Sequence, residues 1–289
     1  MMIDNTVKDP ERVKIQEKII ELEKAGIFDK DVEDDPETIP LEPEMINYLK
    51  DGFKDKMYNK FAYYQAVRFF DKSVADKKVI IKDVIGIENA MLDSGAIVTC
   101  NHFNPYDSFS VEKSMRDVGI LKKRKLYKVI REGNYTNFPG FFGFIFKYCN
   151  TLPLSSVKET MKKFLKACEE LLSRGDYILI YPEQSMWWNY RKPKPLKPGA
   201  FSIATKNNVP VLPVFITMED SDIIGDDGYP VQEYTIHFSK PIYPDSNKTN
   251  KENEKIMMEK NYEIWKEIYE EFYKTPLVYL NEMGKNEEK

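Results

Sequence analysis

The chain has 289 residues, of which 42% are hydrophobic, and a formal net charge of −4 at pH 7. This length suffices for a substantial core, and the acidic balance gives no basic footprint for nucleic acid. Its three cysteines lack paired spacing, which argues against a disulfide scaffold or a structural zinc site. We expect a cytoplasmic protein without a membrane span, while attachment to the inner face of the membrane stays open.

Residues 1–72 are predicted to form an N-terminal helical extension. Apolar residues from Ile15 to Leu22 recur at helical spacing before Gly26, and a second helix is expected from Lys54 to about Phe70. An acidic, proline-containing linker separates the two helices. The second helix combines aromatic and basic residues, so it either packs on the main domain or lies on an anionic bilayer.

Residues 73–289 alternate between strand and helix patterns. This alternation predicts an α/β domain in which helices cover a mostly parallel or mixed sheet, followed by a C-terminal helix from Lys251 to about Phe272. The predicted strands are Val79–Ile85, Ala96–Cys100, Leu126–Ile130, Tyr177–Tyr181, Val211–Ile216 and Tyr234–Phe238. The predicted helices between them are Pro105–Val118, Val157–Arg174 and Gly199–Lys206.

The segment after the strand that ends at Cys100 carries the candidate chemistry. Pro105 favours a helix start, which places His102 on the strand-to-helix loop and Asp107 in the first helical turn. Within one helix these side chains would point about 140° apart, but across a loop that turns back they can meet. A neutral imidazole held by a carboxylate can act as a general base. His237 alternates with apolar neighbours and is assigned to the sheet.

The sequence from Asn101 to Asp107 resembles the N-H-x-x-x-x-D motif of the glycerolipid acyltransferase superfamily, typified by 1-acylglycerol-3-phosphate O-acyltransferases. Further blocks follow in the order of that family. Tyr181–Met186 resembles its F-P-E-G-T-R block, and Val209–Val214 resembles its V-P-[IV]-[IV]-P-[VT] block. Lys197–Ala204 and Gly86–Asn89 resemble a K-x-G-[AS] helix start and a G-x-E-N turn.

The resemblance implies acyl transfer from acyl-CoA or acyl-acyl-carrier-protein to the hydroxyl of a lysophospholipid or a related glycerolipid or glycolipid. His102 would be the general base and Asp107 would orient it, with no metal and no cofactor other than the co-substrate. The expected partners are the acyl donor, a lipid acceptor, a carrier protein and a membrane surface. The residues predicted to bind substrate are Asn101, Glu183, Gln184, Ser185, Arg191 and Lys192.

Two departures from the family bear on the acceptor. Members with phosphate-bearing acceptors carry arginines where this chain has Met186 and Ser156, and neither side chain can form a bidentate phosphate clamp. The candidate substitutes are Arg191, Lys192, Lys194 and Lys197, unless they belong to a solvated basic loop. The two tryptophans after Met186 either line a substrate groove or pack in the core.

Two other functions stay open at this point. If water replaces the acceptor, the protein is a thioester or lysolipid hydrolase. A catalytically silent lipid-binding protein on the same scaffold fits the missing arginines, whereas the intact His102 and Asp107 oppose it. The aromatic stretch Phe138–Phe146 is either part of the core or a membrane contact.

Overall fold

A seven-stranded sheet forms the centre of the computed structural model, which describes residues 7–34 and 37–283. The strands are β1 (Ile80–Ile85), β2 (Ala96–Thr99), β3 (Leu126–Ile130), β4 (Thr151–Pro153), β5 (Tyr177–Ile180), β6 (Val211–Ile224) and β7 (Pro230–Phe238). Their order across the sheet is β1-β7-β6-β2-β5-β3-β4. β6 and β7 pair antiparallel and the other neighbours pair parallel, which confirms the predicted α/β class with a mixed sheet.

Helices cover both faces of the sheet. They are α1 (Pro10–Ala25), α2 (Phe53–Ala75), α3 (Asp107–Asp117), α4 (Glu132–Thr136), α5 (Gly140–Tyr148), α6 (Lys158–Ser173), α7 (Gly199–Lys206), α8 (Asn250–Tyr273) and α9 (Leu280–Met283). Local signals explain several boundaries. Gly26 adopts a left-handed conformation at the end of α1, and Thr249 forms a capping box with Glu252 at the start of α8.

Two hydrophobic clusters lie on opposite faces of the central strands, as the alternation of side chains along a strand requires. Ile97 of β2 packs with Phe164 of α6 and Phe201 of α7. Its neighbour Val98 belongs to the other cluster, which includes Phe70 of α2. Because both faces are covered, β2 is buried along its whole length. The loop that follows β2 therefore begins at a fixed position at the edge of the sheet.

The N-terminal helices pack against the α/β domain. Ile15 and Ile19 of α1 lie in one cluster with Trp187 and Trp188. Helix α2 buries Ala62 and Ala66 against α5 and leaves a stripe of its other face exposed. The predicted boundary after residue 72 falls inside α2, and the division of the chain into two domains stays a prediction.

The structure departs from the expected elements at several points. Strand β4 and helix α5 were not predicted, because three residues are too short for a strand pattern and the aromatic run 138–146 lacks a polar face. Strand β6 continues to Ile224, eight residues beyond its predicted end, because its outer half pairs with β7. Helix α3 begins at Asp107, so Pro105 lies ahead of the helix rather than in its first turn.

Candidate active site

His102 and Asp107 are in contact at the end of β2. The Nδ1 atom of His102 lies 2.7 Å from Oδ2 of Asp107, which closes the turn that the sequence analysis required. The Asp107 side chain is 1% exposed and that of His102 is 21% exposed. The carboxylate is therefore withdrawn from water, whereas the far side of the imidazole ring reaches an opening in the surface.

Asp107 is surrounded by hydrogen-bond donors. Oδ2 accepts from the backbone N–H of Phe103 at 3.2 Å as well as from the histidine ring, and Oδ1 accepts from the backbone N–H of Ser108 at 2.5 Å. The Tyr181 hydroxyl donates to Oδ1 as well. Burial and the neighbouring Asp107 raise the pKa of Tyr181 well above its ordinary value, so the phenol keeps its proton. These donors keep Asp107 suited to accept a hydrogen bond from a protonated Nδ1, and that bond fixes the tautomer of the imidazole.

The backbone of His102 is held by the loop after β5. Its N–H donates to Oε2 of Glu183 at 3.1 Å, and its carbonyl accepts from the backbone N–H of Trp187 at 3.2 Å. The other oxygen of Glu183 accepts from the backbone N–H of Lys194 at 2.8 Å. The Lys194 ammonium, 3.8 Å from Glu183, is fully buried. Glu183 thus supports the position of His102 from behind.

A cavity of about 1070 Å³ opens beside His102 and Asp107. The helix α5 and the segment before it line one side with the aromatic rings of Phe138, Phe142 and Phe146. Such a volume is in the range of small-molecule sites and its wall suits an aliphatic chain. Polar, charged and further apolar residues also line the cavity, among them Asp29, Asp31, Arg131, Leu154, Gln184, Met186 and Lys197.

Of the six residues predicted to bind substrate, Gln184 is the one that lines this cavity, and the structure places the others elsewhere. The Asn101 amide exchanges two hydrogen bonds with the backbone of Ile216, at 2.8 and 3.0 Å, so it ties β2 to β6. Ser185 is fully buried and donates to the carbonyl of Phe28. Glu183 is bonded to backbone N–H groups as described above. These three side chains are therefore structural in this arrangement.

Arg191 and Lys192 also differ from the sequence expectation. Arg191 donates to Asp220 at 2.7 Å and Lys192 donates to Glu23 at 2.6 Å, and neither residue lines the cavity. The cations that do line the cavity include Lys197, 2.9 Å from Asp29, and Arg131, which pairs with Asp31. The sequence signal for Lys197 was its place in the K-x-G block, whereas nothing in the sequence singled out Arg131.

The tryptophans after Met186 are core residues rather than groove residues. Trp187 is 0% exposed and donates its Nε1–H to the carbonyl of Lys30, and Trp188 stacks edge-on against Tyr229. Met186 itself lines the cavity in place of a cation. His237 lies in β7, as predicted, with Nε2 3.0 Å from the hydroxyl of Thr217.

Residues 7–34 and 37–283 contain no assembled metal site and no activated cysteine nucleophile. No group of histidine, cysteine and acidic side chains there could hold a metal ion. Cys100 lies two residues before His102, but burial raises the pKa of its thiol well above the ordinary value, which disfavours a thiolate nucleophile. Within the same described residues, no helix has the length and apolar character needed to cross a membrane.

The site thus joins a histidine–carboxylate pair, which follows a buried parallel strand, to a largely apolar cavity. Residues 82–217 match the family model described as Acyltransferase. This stretch, which is a little under half of the chain, is therefore similar to acyltransferase domains.

Two relatives illustrate this similarity. The 1-acyl-sn-glycerol-3-phosphate acyltransferase BAT2, chloroplastic, of Brassica napus is 28% identical over 134 residues, which cover 46% of this chain and 36% of that protein. The matched part is thus little more than a third of that relative's length. The solved structure of the 1-acyl-sn-glycerophosphate (LPA) acyltransferase PlsC from Thermotoga maritima is 19% identical, with 71% of this chain and 80% of that chain covered and a TM-score of 0.45.

Proposed function

We propose that the protein is an O-acyltransferase. It moves a fatty acyl group from an acyl thioester, acyl-CoA or acyl-acyl-carrier-protein, to the hydroxyl of a lysophospholipid or a related glycerolipid or glycolipid. The observation that carries this proposal is the 2.7 Å contact between His102 Nδ1 and Asp107 at the opening of the cavity. The match to the Acyltransferase family model supports acyl transfer, and the name of the Brassica napus relative supports a glycerolipid acceptor.

The chemistry needs one proton relay. With Nδ1–H donated to Asp107, the Nε2 atom of His102 has its lone pair available for the proton of the acceptor hydroxyl. The oxygen then attacks the thioester carbonyl carbon and forms a tetrahedral oxyanion. When this intermediate collapses, the carbon–sulfur bond breaks, and the leaving thiolate takes the proton from the imidazolium. The buried carboxylate of Asp107 stabilises that imidazolium while it exists.

The cavity provides a place for the acyl chain. Phe138, Phe142 and Phe146 offer apolar surface in the cavity that His102 also lines, and each buried methylene of a chain gains about 0.8 kcal/mol. Lys197 and Arg131 are among the charged lining residues. Each can contact a polar part of the donor or acceptor when that group replaces its carboxylate partner. Hydrophobic and charged groups are thus available to the two ends of a lipid.

Helix α2 supports a membrane location for this reaction. Phe53, Met57, Phe61 and Tyr64 form an exposed stripe on it, with exposed fractions of 86%, 54%, 52% and 58%. Basic residues flank the stripe, among them Lys54, Lys60 and Arg68, and all three are exposed. An apolar stripe flanked by cations suits the surface of an anionic bilayer, where the acceptor resides.

The catalytic proposal is tested by acyl-transfer assays with His102→Ala. Acyl-CoA and acyl-acyl-carrier-protein are offered with a panel of lysophospholipid, glycolipid and sugar acceptors. Loss of the general base is expected to lower kcat by about 10²–10⁴-fold. His237→Gln, a change of the half-buried histidine in β7, is the matched control and should keep wild-type kcat. Free fatty acid released without acceptor would indicate the hydrolase instead, and lipid binding unchanged by His102→Ala without turnover would indicate the silent scaffold.

The membrane proposal is tested by co-sedimentation with vesicles containing anionic phospholipid. Phe61→Ser/Tyr64→Ser should weaken binding because it removes the centre of the stripe. Met91→Ser, at a methionine that is 60% exposed outside α2, is the control for a general loss of surface hydrophobicity. Equal binding by both variants and the wild type would remove α2 as the docking surface.

A further inference from the structure

We propose that Lys194 is a positioning residue: its buried ammonium keeps Glu183 ionised, and ionised Glu183 holds the backbone of His102 in its working position. Lys194 lies eleven residues after Glu183, outside the motif blocks described above. The inference rests on the proposed function for its kinetic readout and has a second readout that needs no activity.

The ammonium of Lys194 is enclosed on all sides. The side chain is 0% exposed, and Nζ donates to the carbonyl and the hydroxyl of Ser185 at 2.6 and 2.8 Å. The ring of Trp187 lies 5.0 Å from Nζ. A buried ammonium is costly unless a counter-charge accompanies it, and Glu183, 2% exposed and 3.8 Å away, provides that charge.

Glu183 needs both of its oxygens as acceptors. Oε1 accepts from the backbone N–H of Lys194 and Oε2 accepts from the backbone N–H of His102. A protonated carboxyl is neutral and carries a hydrogen on one oxygen, so it accepts more weakly from these N–H groups than the carboxylate does. Without the ammonium nearby, burial favours that protonated form. Loss of the Lys194 charge therefore weakens the bond to the His102 backbone.

The position of the His102 backbone bears directly on the reaction. Glu183 holds the N–H of His102, while the N–H of Trp187 in the same loop holds its carbonyl. The loop with the buried pair therefore fixes the peptide units on both sides of the residue. A shift of these units moves the imidazole relative to Asp107, and misplacement of a catalytic group by about 1 Å can cost a hundredfold in rate.

The charges of the pair depend on pH. Burial lowers the pKa of Lys194 and raises that of Glu183. Asp31 favours the ammonium and Arg131 opposes it. Among the described residues, the other titratable groups that face the pair include Cys100, His102, Tyr190, Tyr262 and Tyr279. As the pH rises through the lowered pKa of Lys194 the ammonium loses its proton, so wild-type kcat should fall with it.

The kinetic experiment compares wild type, Lys194→Met and Lys50→Met. Lys50 is a matched control because burial also lowers its pKa, to about 8, while its ammonium contacts the carbonyl of Cys149 instead of this loop. We expect Lys194→Met to lower kcat by roughly 10–100-fold at pH 7 with little change in the KM for the acyl donor. Its kcat should then rise with pH as Glu183 ionises, opposite to wild type. Lys50→Met should keep the wild-type profile, and a uniform loss at every pH in Lys194→Met would overturn the proposal.

The second experiment measures amide hydrogen exchange at His102 and does not depend on turnover. Exchange should accelerate in Lys194→Met and Glu183→Gln and stay unchanged in Lys50→Met. If Lys194→Met does not fold, wild type at pH 7 and pH 9, corrected for base catalysis, gives the same comparison. Faster exchange in a protein without acyl transfer would refute the proposed function alone. Unchanged exchange in an active protein would refute the role of Lys194 alone.

Discussion

Tyr181 stacks on the imidazole of His102, with ring centroids 3.8 Å apart and planes inclined by 13°. The same tyrosine donates its hydroxyl to Asp107, so one side chain contacts both members of the pair. It lies directly after β5, next to the strand that carries His102. Because β2 and β5 are parallel neighbours, the loops that carry His102 and Tyr181 begin at the same edge of the sheet.

Tyr181→Phe separates these two contacts. The ring remains to stack on His102, while Asp107 loses one of its donors. A hydrogen bond to a charged group contributes about 1.5–3 kcal/mol, so we expect kcat to fall about tenfold or more. Steady-state kinetics measure this effect. Tyr181→Leu, which removes the stacking as well, should be slower still, and equal activity of the two variants would show that the hydroxyl alone matters.

Asp107→Asn should be far more damaging. The amide cannot stabilise the imidazolium as a carboxylate does, and its NH₂ group would meet a backbone donor of Phe103 or Ser108. The expected fall in kcat is about 10³–10⁴-fold. Thermal unfolding of the same sample separates this loss from misfolding. A folded variant with activity within tenfold of wild type would contradict the assigned role of the carboxylate.

Leu154→Trp should change the choice of acyl chain. Leu154 lines the cavity and is 40% exposed, so a larger ring can enter the space without rebuilding the core. Each methylene kept out of the cavity costs about 0.8 kcal/mol, or about fourfold in kcat/KM. Competition between acyl donors of different length measures the shift toward shorter chains. Leu154→Ala is the matched control and should move the preference the other way or leave it unchanged.

His237 makes stability depend on pH. Burial lowers its pKa below the ordinary value of 6.5, so the unfolded chain binds a proton at pH values where the folded chain does not. The stability that comes from the neutral ring is present above pH 6.5 and is lost as the pH falls through the lowered pKa. Denaturant unfolding of wild type and His237→Gln between pH 7.5 and about 5 should give a flatter profile for the variant. Parallel profiles would assign the acid sensitivity to other groups.

Local patterns predict most elements and allow a contact between His102 and Asp107, and the resemblance to the N-H-x-x-x-x-D motif selects that contact. Strands such as Leu126–Ile130 and the helix Gly199–Lys206 were predicted at the bounds observed, because short apolar runs and turn residues mark them within the chain. The histidine and aspartate meet because the strand end and the start of α3 are encoded within seven residues. Such signals act over short distances and survive in any tertiary context.

The support around that pair could not be predicted in the same way. The contact of Glu183 with the His102 backbone joins residues 81 positions apart, and the match to a family motif suggested a substrate contact instead. The ion pairs of Arg191 and Lys192 involve Asp220 and Glu23, whose nearness depends on how α1 and β6 pack. A sequence shows which side chains carry charge, whereas the partner of each charge is decided by the assembled fold.

The contact between α1 and the tryptophan pair has a consequence for engineering. Trp187 and Trp188 lie within the stretch matched by the acyltransferase family model, whereas Ile15, Ile19 and the Lys30 carbonyl that complete their surroundings lie outside it. A chimera that imports residues 82–217 into another backbone would bring two large indoles without the helix that shelters them. We therefore expect chimeras to be soluble when they include α1 together with residues 82–217, and insoluble when they include residues 82–217 without α1.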